Sequence, residues 1–217
     1  MKFVVFKKLL HTIVCAKESL NLYNADVEPG SNATVIIKKY YMNTEEVFLQ
    51  SAIKKFKAQQ LQGEKTFAQL EDKDFVFQPS KESNSIAVIV HHLHGNMLSR
   101  WTNFLTEDGE KSWRDRDNEF EDALLTKQDV LNAWNEGWAC VLNTMESLQS
   151  GDVMKTITIR SEPHLVIDAV IRQLDHYGYH TGQIVYIGKL IKGENWQTLS
   201  IPKRGSTAFN ETMHHKA

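Results

Sequence analysis

From about Leu165 to Lys192 an apolar residue returns every three or four positions: Ile167, Val170, Ile171, Leu174, Val185, Ile187 and Ile191, with Gly178 on the same stripe. That spacing predicts one long amphipathic helix, ended by Gly193. A helix with such a stripe has to bury it against elements of similar kind. Three further stretches supply them. Asn43, three residues before Glu46, has the spacing of a capping box and opens a helix carrying Leu49, Ala52, Ile53 and Phe56, with Phe67 and Leu70 later. Ser85 caps a second, carrying Ile86, Ile89, Val90, Leu93, Met97, Trp101, Phe104 and Leu105 and stopped at Asp108-Gly109. Thr126 and Asp129 form another capping-box pair, opening a third with Val130, Trp134, Trp138, Val141, Met145 and Leu148. Between the third helix and the last, Thr156 to Ile159 alternates like a short strand, and Ser161-Glu162-Pro163 reads as a turn. Phe75 to Pro79 reads as a loop. The predicted fold class is all-α: a four-helix bundle with a short β-like segment before the last long helix.

Composition excludes several functions. A chain of 217 residues with net charge −2 and pI near 6.5 lacks the basic footprint of a dedicated nucleic-acid binder. No run approaches the ~18 apolar residues of a membrane span. Two cysteines, Cys15 and Cys140, make no disulfide scaffold, and no CxxC occurs. Neither a nucleic-acid nor a membrane partner is expected, and the localisation expected is cytoplasmic.

The first 41 residues differ from the rest. They hold six lysines against three acids, and Asn24 to Asn32 is turn-rich. No clean cleavage site follows the short apolar start. Residues 1–41 are therefore expected to be an extension, disordered or ahead of the natural start at Met42. The domain is expected over 42–210, with a frayed tail over 211–217.

The chemistry lies in the histidines. Of nine, five fall in two clusters. His176 and His180 are four residues apart in the last helix, so both imidazoles project from one face about one turn apart. Two such histidines can share one divalent metal. Gln183 continues their polar stripe beside the buried face. A third ligand should come from another helix, and the second offers His91-His92-Leu93-His94. Neighbours on a helix point about 100° apart, so they cannot all face inward. His92 shares a face with Val88, Ile89 and Asn96 and is the ligand expected; His91 and His94 are expected to be solvated. Three neutral imidazoles leave positions open, as catalytic zinc sites do.

Ser85-Ile86-Ala87-Val88-Ile89-Val90-His91-His92-Leu93 and His176-Tyr177-Gly178-Tyr179-His180-Thr181-Gly182-Gln183-Ile184 resemble the second-helix signature and the HxxxHxGQ helix of the DinB-like superfamily. The resemblance extends over roughly Met42 to Asn210. Gly95-Asn96-Met97 through Arg100, Asp108-Gly109-Glu110-Lys111 and Trp113-Arg114-Asp115-Arg116 are further similar to an uncharacterised bacterial subgroup. The resemblance implies a four-helix bundle in which His92, His176 and His180 converge on a divalent metal. It also implies an activity among those of the superfamily, which includes low-molecular-weight-thiol transferases and proteins described as metal-dependent hydrolases.

Zinc suits three imidazoles, while nickel, manganese and iron are compatible with them. The metal would act as a Lewis acid or lower the pKa of bound water or thiol. Asn96 and Arg100, one and two turns beyond His92, are candidates to touch a small-molecule substrate, such as a low-molecular-weight thiol, and Arg114 and Arg116 in the charged stretch are candidates to bind an anionic substrate bidentately; either loop arginine could instead pair with Asp115, Asp117 or Glu119. Cys140 reads as an inert thiol, and Asp175 as solvated. No acid stands at an unmistakable spacing to serve as general base. The expected function is a metal-dependent thiol transferase or hydrolase, and the alternative is a non-catalytic metal-containing binding or stress-response protein. Trp101, Trp113, Trp134 and Trp138 are more than one small core is expected to hide, and a homodimer is expected.

Overall fold

The computed structural model describes residues 43–121, 124 and 126–214. The expectations for residues 1–41 lie outside these. The described chain is predominantly helical: α1 (Thr44–Phe67), α2 (Asp72–Phe75), α3 (Ile86–Trp101), α4 (Lys127–Ser147), a hairpin of β1 (Thr156–Ile159) and β2 (Glu162–Leu165), then α5 (Val166–Lys192) and α6 (Ser206–His214). The caps read from the sequence are present. Asn43 Oδ1 accepts from the Glu46 amide at 2.8 Å, and Ser85 Oγ from the Val88 amide at 3.2 Å. Thr126 and Asp129 bond each other's amides reciprocally. Gly193 ends α5 at φ +53°, a conformation glycine adopts at little cost.

The four long helices pack mainly as two pairs, α3 on α4 and α1 on α5, with further contacts of α1 on α4 and α3 on α5. Phe56 of α1 sits at the centre. Its ring lies 5.7 Å from Trp101 of α3, 6.1 Å from Trp138 of α4 and 5.9 Å from Tyr177 of α5. Trp101, Trp134 and Trp138 are all inside, and among these four tryptophans only Trp113 is exposed, at 58%. Three of the four tryptophans behind the homodimer expectation are thus enclosed within one chain, and Trp113 is left on the surface.

Three details depart from the sequence reading. A one-turn helix, α2, occupies Asp72–Phe75 ahead of the loop. Helix α3 stops at Trp101, short of Phe104, because Asn103 takes φ +50° and its carbonyl bonds the Thr106 and Glu107 amides instead. Glu162 and Pro163 belong to β2, and the turn is Arg160-Ser161, with φ of +56° and +63°. That left-handed pair costs energy in non-glycine residues and matches a tight two-residue hairpin. Asp108 holds it: its carboxylate accepts from the amides of Arg160 (2.8 Å) and Ser161 (2.7 Å). Desolvation alone would raise the Asp108 pKa, but these amides and that of Glu110 outweigh it and bring it down to about 2. The hairpin is thereby tied to the loop after α3, which forms one wall of the site.

Helix α1 approaches α4 at Gly63, where a Cβ would lie 2.2 Å from Trp134 Cζ2. Trp134 is 1% exposed and has nowhere to move. Gly63→Ala should therefore destabilise, overpacking by ~1–3 kcal/mol outweighing the helix-propensity gain of ~1 kcal/mol. A lower melting temperature checks this; a rise would show that the helices part without strain.

Candidate metal centre

Tyr177 points into the aromatic core, which fixes the rotation of α5. His176 and His180, before and after it in the chain but turned to the same side of it, then border the space facing α3, and His92 comes across from α3. The candidate ligand nitrogens of the three lie within 4.8 Å of one another. His92 Nε2 and His176 Nε2 are 3.2 Å apart, close to the roughly 3.3 Å between two ligands of a tetrahedral zinc. His92 and His180 are buried, and His176 is half-buried.

Outward hydrogen bonds orient two of the rings. His92 Nδ1 lies 2.9 Å from Glu119 Oε2, and His180 Nδ1 lies 2.8 Å from Gln183 Oε1. An ionised carboxylate only accepts, so Nδ1 of His92 carries a proton and Nε2 is the nitrogen turned toward the cluster. Glu119 is held in turn by Arg114, whose Nε and Nη2 donate to its two oxygens at 2.7 and 2.8 Å. Burial alone would raise the Glu119 pKa; Arg114 and His92 outweigh it and lower the value. Gly95, one turn after His92, makes room for this carboxylate: a Cβ there would stand 2.2 Å from Glu119 Oε1. Phe120 stacks on His92 with centroids 4.7 Å apart.

Burial, then the neighbouring His180 and His92, push the His176 pKa down to about 3. Burial dominates at His180 too, and despite the opposing Gln183 bond the value falls to about 4. Both imidazoles are neutral at pH 7, the form that ligates a metal.

The triad opens into a cavity of about 530 Å³ whose lining includes Asn96, Arg100, Arg114 and Arg116. All four substrate-contact candidates therefore border the same space. Several already have partners. Asn96 Oδ1 accepts from the Tyr177 hydroxyl, which accepts from Trp101 Nε1. Arg100 donates to Glu110 and to the Gly109 carbonyl, and Arg114 is committed to Glu119. Asp175 is exposed, as expected, and stands at the cavity mouth. His94 is half-buried and pairs with Glu136 of α4 at 2.9 Å, and His91 is half-buried as well, so neither is simply solvated. Cys140 is half-buried, its thiol pKa raised by burial, which makes it a poor nucleophile. Sequence reasoning had Glu119 only as a possible ion partner of an arginine, and missed Phe120 and Arg172 altogether. Gly95 is the one local hint of a close neighbour.

Fold and site together define a helical protein with a buried cluster of three histidines able to hold a metal ion. The chain matches, over residues 43–205, a family model described as a protein of unknown function, and it belongs to that family, DUF1572. No curated protein matches it.

On acidification the unfolded chain's histidines take up protons near pH 6.5, before those of the folded chain. The contribution of these two groups to the stability of the metal-free protein should therefore be intact above about pH 6.5, fall progressively below it, and level off once the folded chain is itself protonated at about 4 and about 3. Imidazole nitrogen NMR should find His176 and His180 unprotonated at pH 5. Titration of either near 6.5 would show the pocket to be wetter than described.

Proposed function

We propose that His92, His176 and His180 bind one divalent metal, zinc foremost, in a four-helix bundle of the DinB-like type, and that the protein is a metal-dependent enzyme of the thiol-transferase or hydrolase kind. The convergence of three imidazoles from two helices carries the reading. Their chemistry fits the group: neutral nitrogens in a pocket, two of them oriented by hydrogen bonds from behind. When bound, the metal supplies Lewis acidity toward a small-molecule substrate. The chain's own residues do the rest. Glu119 fixes the His92 ring, Gln183 fixes His180, and the cavity admits the substrate beside them. The superfamily resemblance supplies the reaction type.

One observation favours the alternative, a non-catalytic metal-containing binding protein. The carboxylate nearest the triad, Glu119, has both oxygens engaged by Arg114 and His92. It is a positioning group and no free base.

Protein purified without an affinity tag should contain about one metal per chain. His180→Ala should release it while the far-ultraviolet circular dichroism keeps its helical signal; His91→Ala and His94→Ala should retain it. Unchanged metal content in all three would leave the cluster structural. Thiol titration of the loaded protein then separates the two readings, turnover favouring the enzyme and tight binding without turnover the alternative.

Removing the charge behind His92 tests its orientation. Glu119→Gln should weaken metal binding about 10- to 100-fold, the usual effect of losing a ligand's hydrogen-bond partner. A wild-type affinity measured by chelator competition would show that His92 needs no such support.

A further inference from the structure

The cavity beside the triad has an excess of positive charge, and among the described residues two of its arginines have no carboxylate partner. Five arginines line it, Arg100, Arg114, Arg116, Arg160 and Arg172, against one acidic lining residue, Asp175. Glu110 and Glu119 stand just behind. Glu110 pairs with Arg100 at 3.0 Å, Arg160 at 3.1 Å and Arg114 at 3.4 Å, and Glu119 takes Arg114 at 2.7 Å. Among the described residues no carboxylate lies within ion-pair distance of Arg116 or Arg172. Counting all eight groups, the cationic excess is two before any metal is added.

Arg116 is also placed for recognition. Its guanidinium lies 5.2 Å from the centroid of Phe120, and Phe120 stacks on His92. A guanidinium held by its face keeps its N–H groups free in its plane, where they can meet an anion as a fork. Arg172 stands on α5 one turn before His176, so it rises on the triad's side of the helix. The two arginines therefore reach the cavity from different elements, Arg116 from the loop and Arg172 from α5.

We propose that the molecule taken up by this site carries an anionic group, a carboxylate or a phosphate, which Arg116 and Arg172 bind at the mouth while the remainder reaches the histidines. What the remainder meets there rests on the metal reading above; the anion subsite itself needs no metal.

The test compares two thiols of similar length, 3-mercaptopropionate and 3-mercapto-1-propanol, on the cobalt(II)-loaded chain by calorimetry. The acid should bind at least about tenfold more tightly, the scale of a charge-assisted hydrogen-bond pair. The double variant Arg116→Gln/Arg172→Gln should lose that preference to within about twofold and keep its cobalt affinity. Equal affinities in the wild type, or a preference that survives in the double variant, overturn the proposal. Competition by inorganic phosphate ahead of acetate assigns a phosphoryl group, and the reverse order a carboxylate. Competition by neither overturns the subsite. If the chain takes up no cobalt, the metal reading fails and the subsite is judged by melting temperature. Stabilisation by phosphate or acetate in the wild type that vanishes in the double variant keeps it; equal or absent stabilisation sinks it.

Discussion

The rotation of α5 about its own axis is the constraint on which the site depends, and the burial of Tyr177 sets it. The ring is fully enclosed, with Phe56 and Trp138 against it and its hydroxyl bonded to Trp101 and Asn96. Turning α5 by one residue, about 100°, would pull a large aromatic side chain out of the core and strand a buried hydroxyl. Burial of that ring is worth ~1.5–3 kcal/mol before its hydrogen bonds are counted. His176 and His180 are its neighbours on the helix surface, so the packing that stabilises the fold also aims the histidines. Helix position and the aim of two imidazoles are set by one side chain.

The opposite wall is organised by charge. The segment after α3 has almost no apolar stripe, and carboxylates give it shape. Asp108 fastens the hairpin, Glu110 gathers three arginines, and Glu119 joins Arg114 to His92. Arg114 and Glu119 have side chains 2% and 5% exposed. A pair that deep costs several kcal/mol to desolvate and returns it only through close geometry. The fork of Arg114 on both oxygens of Glu119 provides that geometry. The aromatic core and this ionic wall thus have different dependences: the first responds to volume, the second to pH and salt.

What could be read in the sequence was what depends on nearest neighbours along the chain. Helical stripes, the caps at Asn43, Ser85 and Thr126, and the shared face of His176 and His180 are all local. Choosing His92 over His91 needed only the apolar stripe beside it. Glu119 was out of reach because 27 residues and a loop without periodicity separate it from His92. The second strand was hidden by Pro163, which reads as a turn residue but sits in a hairpin whose turn is supplied by Arg160 and Ser161. The end of α3 was misplaced because Phe104 continues the apolar spacing although the backbone has already left the helix; its side chain is buried all the same. The placement of the tryptophans was not legible at all, since counting large side chains says nothing of whether one core can enclose them; it encloses three of the four.

Gly95 sets the helix against the site. Alanine would suit that helical position better on backbone grounds alone, so drift toward a side chain there costs the helix nothing. It costs the space in which Glu119 meets His92. In this chain a bare backbone at position 95 is thus what lets a carboxylate stand behind His92, so a single methyl group on α3 would reach the cluster through the residue that orients it.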